Sequence, residues 1–562
     1  FVSSAIDRII HGPFSRCIQN VMINMHISQQ GTIEYREKKT YSYHKLFFLL
    51  FAIFFSHTCI NSSNTSTTVQ VDLSSIRSFC ITTPYPEVCF NSLNVSIPID
   101  TNPNSNSYFL QSLQVAIYET TKLLNLFNNV RPSNIKEKQK GAIQDCRELH
   151  QSTLASLKRS LSGISSFKIT LIDARIYLSA ALSNKNTCLE GLDSASGTMK
   201  PVLVKSVVNT YKHSLVGDSK WLSSTDLGFF QDSDGDGYDP NEVIVVAVDG
   251  TGKFSTITVR DRTVIRVKEG IYKENVVIQS YKINIVMLGD GSDVTVITGN
   301  RSVGDGCTTF NSATLAVSGE GFLARDIAFN NSAGLEKQQA VALRVNADLT
   351  AFYRCAIHGY QDTLFVHSFR QFYRECDIYG TIDFIFGNAA VVLQGCNIVS
   401  KKPLPGQYTV ITAQSRDSPN ENTGISIQYY SIKANFDDSS VKSYLGRPWR
   451  IYSRTVYLES YIDDFIDPKG WTKWSNEQGL DTLYYGEFDN YGPDSSTDNR
   501  VQWSGYHAMD HDDAFNFTIL EFINDGHDWL ESTLFPFVEG ICVWNVAFTF
   551  HVFFYILLFW KI

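Results

Sequence analysis

From about Ile76 to Val216, apolar residues recur at spacings of three and four. The stretches "FLQSLQVAIYETTKLLNLF", "IKEKQKGAIQDCRELHQSTLASLKRSL", "LIDARIYLSAALSNKNTCLEGL" and "KPVLVKSVVNTYKHSL" each carry such a stripe, the pattern of an amphipathic helix. Four of them with short connections predict an antiparallel four-helix bundle over 76–216. After Val243 the period shortens. "NVVIQ", "INIVMLGDG", "TVITGN", "ATLAVSG" and "FLARDIAF" are short strands punctuated by glycine turns. The boundary falls in the acidic stretch 217–238. There "DSDGDG" imitates the start of a calcium loop, but the twelfth position is Val243 and a strand follows, so the segment reads as linker.

The strand region repeats itself. Ile327, Ile357, Ile378 and Ile398 close the related words "ARDI", "RCAI", "ECDI" and "GCNI", at steps of 30, 21 and 20 residues. A period of that size with several short strands per repeat predicts a parallel β-helix over 239–540, each coil stacked on the last. Asp362 and Asp383 each lie five residues beyond the isoleucine of their repeat. Stacking therefore sets the two carboxylates one strand spacing apart, about 4.8 Å. Like charges so close do not both ionise cheaply, so one carboxyl holds its proton beside an anionic partner, a general acid next to a nucleophile or base. Cys355, Cys376 and Cys396 each precede their isoleucine by two. They form a ladder in which Cys355–Cys376 is the preferred bridge and Cys396 competes.

Charge narrows the partners. The net charge of -9 and the lack of a dense Lys/Arg face exclude a nucleic-acid binder. No His/Cys/Asp cluster has metal-ligand spacing, so no metal or other cofactor is expected. Leu46–Phe55 is an apolar run behind Arg36, Lys38, Lys39 and Lys45, which suits a signal peptide or short anchor within an N-terminal extension over 1–60. Met25 is a sensible start within it. An oxidising compartment then favours disulfides, and of three pairings the economical one is Cys80 with Cys89 and Cys146 with Cys188. The apolar tail 541–562 is long enough to span a bilayer. It reads as an anchor or, preferably, as translated non-coding sequence, so a membrane partner depends on whether the terminal apolar segments are retained.

At the words "GIYKENV", "QAVALR", "YQDTL", "GTIDFIFG" and "YLGRPW", in that order, the chain resembles plant pectin methylesterases. The helical half resembles the pectin methylesterase inhibitor domain, whose two bridges match the four cysteines. The resemblance implies a secreted enzyme of the cell wall (apoplast) acting on methyl-esterified pectin, with the bundle as an intramolecular inhibitor. It implies Asp383 as nucleophile and Asp362 as acid and then base. Gln361 and Gln339 become oxyanion donors and Arg447 the holder of Asp383. Thr309, Trp449 and Phe386 become substrate contacts, alongside Gln339 and Arg447.

The chain departs from the family pattern at several places. A helical segment usual after Ile257 is absent, Phe365 replaces a tyrosine, and no basic processing motif precedes the strand region. Two rival readings follow. Carboxylates about 5 Å apart also suit retaining glycoside cleavage, although two glutamine donors favour acyl transfer. The absent segment favours a non-catalytic wall-binding or inhibitor protein.

Overall fold

The computed structural model describes residues 73–541 apart from 82, 84, 97–104, 131–136, 167–170, 195–199, 215–242, 247–263, 476 and 524–525. The apolar run Leu46–Phe55, the 217–238 linker, the tail beyond residue 541 and the stretch after Ile257 all lie outside the described residues. Among the described residues no helix is long and apolar enough to cross a membrane.

Among the described residues six helices precede the strands: α1 (Leu73–Ile81), α2 (Pro86–Ser96), α3 (Ser105–Asn128), α4 (Glu137–Ser166), α5 (Leu171–Ser194) and α6 (Lys200–Ser214). Helices α3 to α6 are the four read from the periodicity, and they pack in the bundle order, α3 on α4 and α6, and α5 on both α4 and α6. The apolar stripes bury Leu113, Phe127, Leu149, Leu157 and Val207. Helices α1 and α2 make a preceding hairpin. Pro86 suits the first position of α2, where its missing N–H costs nothing.

Disulfides join Cys80 to Cys89 across the hairpin and Cys146 on α4 to Cys188 on α5. The second spans 42 residues of sequence, so in the chain-entropy picture its loss costs about 4 kcal/mol. Replacing Cys146 and Cys188 by alanine is expected to lower chemical-denaturation stability of the full chain by roughly that amount.

Beyond the bundle, the described strands form three parallel sheets of eleven, eight and seven strands that wrap into a right-handed β-helix. Each coil from Val264 to Gly446 contributes one strand to each sheet, and side chains in register stack from coil to coil. Ile357, Ile378 and Ile398 face one another inside the helix with no exposure. On another wall Phe352 stacks on Tyr373 with ring centroids 4.8 Å apart. Corners between walls need left-handed backbone. Asp326, Arg354, Glu375 and Gly395 supply it at one edge, coil after coil. Gly387 has a φ of 130°, and a Cβ there would sit 2.1 Å from the Val366 carbonyl oxygen, so only glycine lets the two coils approach. The strand Val243–Val246 pairs in parallel with Val264–Val267.

Two expectations are corrected. Ile327 does not face Ile357; Phe329 does. The turn residue before Ile327, Asp326, bonds to the coil of Arg354, so "ARDI" is offset by two from its look-alikes. Nor are Cys355 and Cys376 bridged: both are free, as is Cys396. Parallel stacking holds Cβ atoms about one strand spacing apart with their bonds side by side. A disulfide needs them closer and turned toward each other. The thiols instead act as small buried side chains, Cys376 donating to the carbonyls of Phe352 and Arg374.

Candidate active site

The eight-stranded sheet passes into the seven-stranded one through tight turns, 359–363 on one coil and 381–384 on the next. Asp362 and Asp383 occupy equivalent places in these turns. Both are buried, and both have left-handed backbone, with φ of 62° and 52°. Aspartate tolerates that conformation better than most residues, and strain of this kind is typical of functional turns. The Asp362 N–H donates to the Ile382 carbonyl at 3.1 Å, locking one turn to the next.

Arg447 reaches the pair from a later coil. Its Nε donates to Asp383 Oδ1 at 2.8 Å, its Nη2 bonds Oδ2, and its Nη1 donates to the Tyr408 hydroxyl at 2.9 Å. Trp474 lies beneath the guanidinium, 4.2 Å from ring centroid to Cζ. Burial lifts both carboxyls above their ordinary range. Asp362 goes well above it, with the Asp383 charge adding to the effect of burial, whereas the bidentate Arg447 pulls Asp383 back down. The arrangement therefore favours a protonated Asp362 beside an ionised Asp383.

Gln361 adjoins Asp362 in the turn, and its carbonyl accepts from the Ala340 N–H at 3.2 Å, which brings Gln339 onto the neighbouring coil. Gln339 Oε1 is buried with no hydrogen-bond partner among the described residues. Phe386 stacks on Phe365, centroids 4.2 Å apart, and Trp449 lies 6.0 Å from Phe386. Thr309 heads the short turn Phe310–Ser312. Trp474 and Tyr408 were missed. Neither belongs to a repeated word, although Trp474, three residues after Trp471, continues the aromatic row by stacking 6.2 Å from Trp449.

The bundle lies over this row. Leu189 and Leu192 of α5 join Phe365, Phe386 and Trp449 in one apolar cluster. Thr187 Oγ1 is 2.9 Å from His367 Nε2, and Asn388 donates to Ser183 Oγ at 2.9 Å. From α4, Glu148 pairs with Arg344 at 3.0 Å. Asp145 accepts from the Thr308 hydroxyl at 2.5 Å and from the Asn311 amide. Burial pushes the Asp145 carboxyl up to about 7 despite those donors and Arg344.

Paired buried carboxylates, one held by a bidentate arginine, on a parallel β-helix beside an aromatic row, are the groups a carboxylate-based hydrolase needs. The comparisons agree. The Pectinesterase family model matches residues 243–527, and the Plant invertase/pectin methylesterase inhibitor model matches 74–220. Probable pectinesterase/pectinesterase inhibitor 12 of Arabidopsis thaliana is 56% identical over 88% of this chain and 98% of its own. Pectinesterase 2 of Citrus sinensis is 41% identical over 83% of this chain and 95% of its own. The solved pectin methylesterase from carrot is 50% identical, covering 55% of this chain and 100% of its own with a TM-score of 0.52. The chain belongs to the pectinesterase family and carries an N-terminal inhibitor-like domain.

Proposed function

We propose that the chain hydrolyses methyl esters of cell-wall pectin, releasing methanol and leaving free galacturonate carboxylates. The observation that carries this reading is the bidentate Arg447–Asp383 pair beside a buried Asp362. An Asp383 oxygen attacks the ester carbonyl carbon, and Gln339 and Gln361 donate to the oxyanion that forms. Collapse breaks the C–O bond to the methoxy group, which leaves as methanol with the Asp362 proton. The acyl-aspartate remains. Asp362, now ionised, takes a proton from water as that water attacks the acyl carbon, and Asp383 departs as carboxylate. Both groups finish as they began, and no cofactor takes part. Phe386, Trp449 and Thr309 hold the sugar chain.

The bundle is the enzyme's own inhibitor in this reading, because α5 covers the aromatic row a polymer must reach. The working place is the cell wall outside the membrane.

The test is methanol release from highly methylated pectin by the full chain, intact and after cleavage within 215–242. Methanol is expected one-for-one with new carboxylates, without new reducing ends. Reducing ends without methanol would hand the site to glycoside cleavage instead.

A further inference from the structure

Two β-helix arginines each hold a carboxylate of the bundle. Arg344 Nη2 donates to Glu148 at 3.0 Å, Nη1 donates to Asn346 at 3.0 Å, and the guanidinium lies 3.4 Å from the Phe310 ring centroid. Arg450, next to Trp449, pairs with Glu190. Between them the hydroxyls of Thr187 and Ser183 meet His367 and Asn388. Strand register fixes the line: Arg344 faces Phe365, which faces Phe386 one coil further on. The bundle thus lays two carboxylates, with hydroxyls between them, along an aromatic row. A run of unesterified galacturonate presents the same groups, namely a carboxylate on each sugar, hydroxyls between, and apolar ring faces.

The bundle does not saturate the groove. Arg344 Nε, Asn346 Nδ2 and Arg450 Nε are buried with no hydrogen-bond partner among the described residues. A buried orphan donor costs free energy, and an arginine matched to its carboxylate uses its fork bidentately. Spare donors at both cations indicate a ligand that offers more acceptors than one glutamate oxygen apiece.

We propose that Arg344 and Arg450 are subsites for ionised galacturonate carboxylates flanking the ester that Asp383 attacks, and that Glu148 and Glu190 occupy them as mimics. The proposal rests on the esterase reading above. A methyl ester carries no charge to pair with either arginine, so these subsites select an ester whose neighbours are already free acids.

The measurement is kcat/KM of the full chain on half-methylated and on fully methylated pectin of matched length. The ratio of the two is read because the fraction of molecules with the groove uncovered cancels. Arg344→Gln and Arg450→Gln are each expected to lower that ratio about tenfold, the loss of roughly one charge-assisted hydrogen bond. An unchanged ratio overturns the subsites. A second arm needs no turnover. Fully de-esterified oligogalacturonate should raise amide hydrogen exchange in α4 and α5 by displacing the bundle, and the fully methylated oligomer should do so far less. Equal effects, or none, overturn the mimicry. Absence of methanol from both pectins would count against the esterase reading, and the displacement arm would still decide the subsites.

Discussion

Asp383→Asn is expected to abolish methanol release, with a loss on the order of 10⁴-fold or more, the scale seen when one member of a catalytic unit is removed. The amide is nearly the same shape as the carboxylate but is a poor nucleophile. It also cannot accept both Arg447 donors, since one of its two positions now carries hydrogens. Asp362→Asn should be nearly as damaging, for a different reason: both the proton for methanol and the base for water disappear together. The two variants separate the roles. With Asp362→Asn an acyl-enzyme, if it forms, persists, and intact-mass measurement would find the added uronoyl chain on Asp383. With Asp383→Asn no adduct forms. Residual methanol release above about one hundredth of wild type in Asp383→Asn, with an unchanged melting temperature, would remove Asp383 from the nucleophile's place.

The stacking of Asp362 on Asp383 could be read from the chain because a β-helix turns sequence period into spatial proximity. Asp362 and Asp383 keep the same offset from Ile357 and Ile378, and those isoleucines face each other in the register. Arg447 has no such periodic signal. It sits far along the chain and reaches Asp383 across a loop-bearing coil, so only the family resemblance pointed to it. Tyr408 and Trp474 are placed in the same way and were missed. The period also misled. "ARDI" looks like its three counterparts, yet Asp326 takes the corner and the strand after it pairs two residues out of step. The cysteine ladder was right as a ladder and wrong as a bond, because equal spacing in sequence specifies stacking but not the convergent Cβ geometry a disulfide requires. Interdomain contacts left no trace in either half's pattern. Asp145, Glu148, Thr187 and Glu190 read as ordinary polar positions on helices, and what they meet became visible only once both halves were folded.

Those contacts underlie the second large effect. Thr187→Trp, a wedge on α5 against His367, is expected to raise methanol release by the full chain at pH 5 by about 10²-fold. An interface worth about 3 kcal/mol leaves only around one molecule in a hundred open. The rise should depend on pH through Asp145. In the docked state burial holds its carboxyl at about 7, against an ordinary value of 3.8, with Glu148 adding to the shift and Thr308, Arg344 and Asn311 opposing it. The docked form therefore binds the proton more tightly than the undocked form. Docking is strongest below about pH 4, weakens as pH climbs, and has lost this contribution once pH passes about 7. The activity ratio of Thr187→Trp to wild type should accordingly shrink between pH 4 and 7, a comparison in which the titration of Asp362 and Asp383 cancels. Asp145→Asn cannot ionise, so in that background the ratio should stay high at pH 7. A ratio that is flat with pH in the native Asp145 background would dismiss Asp145 as the group that loosens the bundle. A wedge that leaves activity at the wild-type level at pH 5 would rule out α5 as a cover that restrains the site.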